Sequence, residues 1–340
     1  MILPIDLQKD INGYLFYALP LCIIKSNQQL YPWFMENYIS CCCSTLPNFT
    51  YIDAITYQDS HIVNNILDMN CLSYDDLDIS WDITLLIKNC IDNNKYVVIF
   101  TDEFFCAGRP AFNSFNMLHE ILIYGYDLEY FYYIAFDENM NFCSSTTPIT
   151  TINSAYRAGK ELAIKKGLIK EYNHSIIIMR FNEDIEYNCF SMNRFSTKIM
   201  RYLSGRLSCE EHLINNKHDE TISDMAVFSF HGIDNTLMFE KYLNICDTRN
   251  YQLFTAVHSW YEHKKGLLSR FRYIASNDLN PDTNMIELVY LYDDLIELAE
   301  LIRMNAYKLL IQNKKKNEVI FVNNCLNFRK REENILKMLS

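Results

Sequence analysis

The chain has no Cys-x-x-Cys pair, although 12 of its 340 residues are cysteine. Structural zinc sites need spaced ligands with nearby histidine partners, and disulfide frameworks need regular cysteine spacing, so neither is expected here. The cysteines are expected to be reduced thiols. Long apolar runs are missing too. Tyr14 to Ile24 is apolar but falls short of the about 20 residues that cross a bilayer. The opening Met1-Ile-Leu-Pro-Ile-Asp6 has no basic region ahead of an apolar stretch, which speaks against a secretory signal. Positive charge is scarce: 31 basic residues stand against 42 acidic ones, and the net charge of -11 argues against nucleic acid or an anionic membrane as the main partner. Lys314-Lys-Lys316 is one local basic cluster. There is no Gly/Ser-rich linker, internal repeat or low-complexity tract. Together these absences predict a cytoplasmic protein.

A content of 49% hydrophobic and 14% aromatic residues is ample for the core of one large or two ordinary domains. Tyr31 to Ile39 suits a helix with Pro32 in its first turn, where the missing amide hydrogen costs nothing. The run Cys41-Cys-Cys43 reads as a small-residue helix end leading into the loop through Pro47. Ile83 to Cys90 has helical spacing, and Tyr96-Val-Val-Ile-Phe-Thr101 is a buried strand by its β-branched and aromatic content. Thr151 to Gly167 is a helix, and Ser175 to Phe181 is a further strand of the same sheet. From Asp184 onward the spacing is helical, with Leu253–Tyr273 and Met285–Ile311 the longest stretches and Asp282 a candidate cap. Composition divides the chain into residues 1–182 and a mainly α-helical region, 183–340.

The segment Asn116-Met-Leu-His119-Glu-Ile-Leu-Ile-Tyr-Gly-Tyr-Asp127, followed by Phe131-Tyr-Tyr-Ile-Ala-Phe-Asp137, carries the chemistry. It reads as a hairpin turning through Gly125–Glu129, with His119 opening one strand and Asp137 closing the next. Antiparallel partners lie about 5 Å apart, so the return brings the two side by side. An imidazole held at one ring nitrogen by a carboxylate is two-thirds of a nucleophilic triad. The plainer alternative is an edge-strand histidine and an aspartate opening the Asp137-Glu-Asn139 turn. Asp102 and Glu103, just past a strand, either point into a cleft or belong to a solvated loop.

This pattern of His, apolar strand, Gly-Tyr-Asp turn, aromatic strand and Asp resembles the His and Asp half of papain-like cysteine peptidases, especially those that process bacteriocin leaders. More closely, Thr101-Asp-Glu-Phe-Phe105, Gly108-Arg-Pro110 and His119 to Asp127 resemble the butirosin biosynthesis protein H N-terminal domain family. The later run of Asp247-Thr-Arg249, Tyr261-Glu-His-Lys264, Leu268 and Arg270 is similar to members found in nonribosomal peptide and related gene clusters. The resemblance implies an α+β papain-like N-terminal domain with a central antiparallel sheet and an N-terminal helix, followed by the helical C-terminal region.

It also implies acyl transfer or amide-bond formation: a Cys-His-Asp triad takes an acyl group from a carrier-protein thioester, and an amine resolves the acyl-enzyme. His119 would be the base and Asp137 the orienter. The nucleophile of such enzymes sits at the start of a helix, where the dipole and unpaired amides lower the thiol pKa. Cys22 fits this requirement if a short helix begins at Pro20; otherwise it is a small buried hydrophobe. The Gln or Asn a few residues upstream of Cys22 that would complete an oxyanion hole is missing, although Asn12 could be recruited. Cys41 to Cys43 would lie at a helix end of the wrong polarity, and Cys106 is a weaker alternative in the loop before His119. Asp102, Glu103 and Arg109 would contact substrate, Arg109 together with Phe104 and Phe105 in an acyl pocket, and Arg249 and Lys264 would meet a phosphopantetheine arm or an acidic carrier protein. The implied partners are an acyl or peptidyl carrier protein and an amine acceptor, without metal or organic cofactor. His258 and Glu262, four apart on a helix, make a salt-bridge pair more readily than a metal site. A thiol peptidase or amidase, and a non-catalytic partner that holds a carrier protein or peptide, are the rival functions.

Overall fold

The computed structural model describes residues 1–45, 52, 54–57, 63, 65–73, 82–137, 141–167, 175–185, 189–205, 228–244, 251–280, 284–312 and 315–339. Pro47, Glu138, Asn139, Asp247, Arg249, Asp282 and Lys314, named above, lie outside the described residues. In chain order these residues form α1 (Leu15–Ile24), α2 (Tyr31–Glu36), β1 (Cys41–Thr45), β2 (Thr56–Tyr57), β3 (Leu67–Leu72), α3 (Ile83–Asp92), β4 (Tyr96–Asp102) and β5 (Leu118–Tyr126). There follow β6 (Tyr130–Phe136), β7 (Phe142–Pro148), α4 (Ile149–Lys165), β8 (Ile176–Phe181), α5 (Met192–Ser204), β9 (Phe228–His231), α6 (Asn235–Leu243), α7 (Tyr251–Ser276), α8 (Met285–Ile311) and α9 (Lys315–Leu336). The class is mixed α+β. Among the described residues, no helix is long and apolar enough to cross a membrane.

The chain divides into two compact units, Met1–Gln28 with Ile62–Glu186, and Gln29–His61 with Tyr187–Ser340. The segment 29–61, which composition assigns to the first domain, therefore belongs to the second unit.

The first unit is built on a six-stranded antiparallel sheet in the order β3-β8-β4-β5-β6-β7. Every residue of β4 is buried, which explains its unbroken apolar run. The β5–β6 hairpin forms through an Asp127 turn: its carboxylate accepts the Glu129 amide at 2.8 Å and the Tyr130 amide at 2.7 Å. Gly125 makes room for the N-terminal segment, because a Cβ there would lie 2.9 Å from backbone atoms of Met1 and Ile2. Helix α3 is capped by Asp82, whose side chain accepts the Thr84 amide at 2.9 Å.

Helix α1 starts at Leu15 rather than at Pro20, which lies inside it. An interior proline costs about 3 kcal/mol through the lost hydrogen bond and ring clash. Yet all of α1 except Phe16 is buried, and each large apolar side chain taken from water returns about 1.5 to 3 kcal/mol, so burial carries the helix through the proline.

The second unit combines α2 and α5 to α9 with a three-stranded antiparallel sheet, β2-β1-β9. The Cys41–Cys43 run is thus a central strand, not a helix end. Helix α2 stops at Glu36 because Asn37 is extended and Tyr38 takes a positive φ of 59°, which turns the chain into the strand. Helix α8 covers Met285–Ile311 as its spacing predicts, with the Asn284 side chain accepting the Glu287 amide at 3.2 Å as the cap.

The Tyr261–Arg270 run lies in this unit's interior. Arg270 donates from Nε to the Asn37 carbonyl at 3.1 Å, and His263 Nε2 meets the Ile39 carbonyl at 2.8 Å. Burial drives the His263 pKa well below the usual imidazole value, so the ring is neutral and Nε2–H donates. Lys264, entirely buried, pairs with the equally buried Glu332 at 3.1 Å. Tyr292 and Tyr202 donate their hydroxyls to the two Glu332 oxygens at 2.6 and 2.9 Å. Lys264 is therefore a core ion, which removes it from any contact with a carrier arm.

Candidate functional site

The site grows from the end of β4 and the start of β5, in the first unit. Their ladder pairs Thr101 with His119 and Asp102 with Leu118. Between these strands the chain makes a long loop, and Asp102 fastens it. Its Oδ1 accepts the Phe104 amide at 3.1 Å and the Met117 amide at 3.0 Å, and Oδ2 accepts from Asn116 Nδ2. Fully buried and engaged on both oxygens, Asp102 is a loop clip rather than a group offered to substrate.

Glu103 opens the 3-10 turn Glu103–Phe105 directly after β4. Its side chain is 1% exposed and its Oε1 accepts from Arg109 Nε at 2.7 Å and also from Arg109 Nη2. His119 Nδ1 lies 3.2 Å from the same oxygen and in contact with Arg109 Nη2. Glu103 Oε2 is buried and has no partner among the described residues. Burial pushes the Glu103 carboxyl up, but the hydrogen bond from His119 and the Arg109 charge together hold it below the ordinary glutamate value. Arg109 is itself buried, with its guanidinium 5.1 Å from the centre of the Phe136 ring.

The turn before Arg109 is pinned across β6 and β7. Ser145 Oγ donates to the Ala107 carbonyl at 2.8 Å, and the Tyr133 hydroxyl donates to the same carbonyl. Gly108 has φ +78° and a Cβ there would sit 2.6 Å from Ser145 Oγ, so only glycine lets the loop lie this close to the sheet. Of the three charged and titratable side chains, only His119 opens to solvent, with 30% of its side chain exposed.

Asp137 follows directly on β6, whose ladder with β5 extends to the Ile123–Tyr133 pair. Its carboxylate, however, accepts from the Asn141 amide at 2.8 Å and from Asn141 Nδ2 at 3.3 Å, closing its own turn. The carboxylate on the His119 ring is Glu103.

Cys22 lies in the last turn of α1, not the first, and is fully buried. Burial pushes its thiol up to about 12, opposed by weaker hydrogen bonding from Gln8. The C-terminal end of a helix disfavours a thiolate further. The N-terminal end of α1, where a helix dipole would favour a thiolate, begins after Tyr14 and carries no side-chain cap. Upstream, Gln8 rather than Asn12 is the wholly buried amide, donating to the Ile11 carbonyl at 2.6 Å and accepting the Asp10 and Ile11 amides at 2.8 and 3.0 Å. Cys106 belongs to the His119 cluster, with Sγ 3.5 Å from Thr101 Oγ1, but it too is buried and its thiol is pushed up to about 11, chiefly by burial.

Among the described residues no group of three or more His, Cys, Asp and Glu side chains could hold a metal ion, and His258 lies 3.7 Å from the buried Glu262 as an i, i+4 pair. Comparison with known proteins finds no family model that matches the chain and no matching curated protein.

Proposed function

We propose that the protein is a non-catalytic binding module of papain-like design, of the butirosin biosynthesis protein H kind, that holds an acyl or peptidyl group presented by a carrier protein. The observation that carries this reading is the place of Cys22: buried, in the last turn of its helix, with its thiol pushed up to about 12. A thiol in that state has a negligible thiolate fraction at neutral pH and cannot initiate attack on a thioester. The ligand contacts in this reading are His119, the open side chain of the cluster, and the half-buried Phe104 and Phe105 of the loop after β4, whose rings meet edge to face at 5.2 Å.

The anchored and partly exposed His119 favours one second reading, acyl transfer or amide formation onto an amine with His119 as base and Glu103 as its orienter. Intact mass and binding measurements on wild type with the acetyl thioester of pantetheine separate the two. The binding module gives saturable binding with no mass adduct. A covalent acetyl adduct would overturn it, and disappearance of that adduct in Cys22→Ala would return Cys22 to the mechanism.

A further inference from the structure

Helix α8 is apolar on two opposite faces. Its inner face, with Leu288, Leu295, Ile302 and Leu309 at seven-residue spacing, is buried, and the helix packs on α7 and α9. The outer face carries Ile286, Tyr290, Leu301, Met304, Tyr307 and Ile311, all between 42% and 79% exposed. Their spacings are combinations of three and four, so on a 3.6-residue period they fall on one stripe. Apolar residues scattered singly over a surface are ordinary, whereas a contiguous apolar patch marks an interaction face.

The charges on α8 are divided along its length. Its first half holds Glu287, Asp293, Asp294 and Glu297 and no base, while its second half holds Glu300, Arg303 and Lys308, and Lys315 and Lys316 open α9. A parallel neighbour of the same kind would set acid against acid. An antiparallel one sets the acidic half on the basic half and opposes the two helix dipoles, and it is the arrangement that a two-fold axis generates.

We propose that the outer face of α8 pairs with the same face of a second copy of this chain, the two helices running antiparallel. The register that keeps the stripe continuous brings Ile286 against Ile311 of the second copy, Tyr290 against Lys308, Asp293 against Met304 and Glu297 against Leu301. No acid on the stripe then lies directly opposite another, and Lys308 meets the Tyr290 ring as a cation over an aromatic face. Asp293 and Arg303 already have surface partners in Arg272, at 2.9 Å, and Glu300, at 2.5 Å, so the register asks neither for a new ion pair. At 1.5 Å per residue the 27 residues of α8 make a face about 40 Å long. That is on the scale of a standard interface, about 800 Å² per partner.

Sedimentation equilibrium of the full chain across the micromolar range should give the mass of two chains. A single-chain mass throughout would overturn the proposal, and so would a larger assembly, because this pairing closes at two. Met304→Glu, in the middle of the apolar part of the stripe, should weaken association at least about tenfold, while Leu85→Glu, at an exposed position on α3, should stay within about twofold of wild type. Wild-type association in Met304→Glu would place the interface elsewhere. The register is read separately. Lys308→Glu should cost about tenfold in association, and adding Tyr290→Lys should recover most of it, because the two positions lie about 27 Å apart along one helix and meet only across the dimer. No recovery would overturn the antiparallel register. The wild-type mass requires no substitution, so the pairing is decided even where a variant fails to fold.

Discussion

The Asp102 carboxylate accepts the Met117 backbone amide at 3.0 Å and so closes, across fifteen positions of sequence, the loop that carries Glu103 and Arg109 to His119. The same oxygen accepts the Phe104 amide. Asp102→Ala leaves these donors unsatisfied in a buried position, each at about 1 to 3 kcal/mol. The expected outcome is a loss of about 2 to 3 kcal/mol in urea unfolding, with faster amide exchange over residues 103–117, while Asp102→Asn loses less because it keeps one carbonyl oxygen. An Asp102→Ala protein with wild-type stability and protection would show that the loop is held by something else.

Cys22 predicts an alkaline limb in the stability curve. Burial moves its thiol from an ordinary value near 9 up to about 12. Below pH 9 the thiol is protonated in both folded and unfolded chains, so its burial contributes fully. Between pH 9 and 12 the unfolded chain releases the proton while the folded chain keeps it, and stability falls as pH rises. Cys22→Ala, which costs about 1 to 2 kcal/mol at pH 8 through the cavity it leaves, should narrow its gap to wild type by pH 10. Iodoacetamide should label the exposed Cys189 in the native protein and leave Cys22 unmodified. Rapid labelling of Cys22 without unfolding would reverse the assignment of a buried, inert thiol.

The strongest periodic signals in the sequence correspond to real elements: the apolar run of β4, the His119 hairpin, and helix α8. What was not legible depends on partners distant in sequence. Cys41–Cys43 forms a strand because Phe228–His231 pairs with it, more than half the chain away, and a run of three small residues carries no trace of that partner. Pro20 is a strong local sign of a helix start, and only the burial of α1 on nearly every side overrides it. At the site, His119 and the strand before it could be read from pattern alone. The choice between Asp137 and Glu103 as its carboxylate could not, because it turns on where the 103–117 loop lays Arg109.

Glu103 should set part of the acid limb. Its carboxyl is held below the ordinary glutamate value by His119 and Arg109 against the opposing effect of burial. Its contribution is complete above the unfolded chain's pKa and is lost as pH falls through the lower folded value. Glu103→Gln leaves Arg109 buried beside a neutral amide, for an expected loss of about 3 to 5 kcal/mol at pH 7. Because Gln does not titrate, the gap between wild type and Glu103→Gln should shrink as pH is lowered from 5 to 2. Urea midpoints across that range check it, and a gap that stays constant would mean Glu103 is not charged in the folded protein.

The Lys264–Glu332 pair in the second unit makes a prediction of opposite form, because both members are in the core. Breaking such a pair leaves one uncompensated buried charge and costs about 3 to 5 kcal/mol, whereas removing both charges together is often close to neutral. Lys264→Met should therefore be strongly destabilising, all the more because Glu332 then keeps only the Tyr202 and Tyr292 hydroxyls. Lys264→Met combined with Glu332→Gln should recover much of the loss, since the amide can still accept one hydroxyl while no charge remains buried. A double-mutant cycle by urea unfolding measures the coupling directly. Strictly additive losses would show that Lys264 is held by its packing over Trp260, 5.3 Å from the ring centre, and not by Glu332.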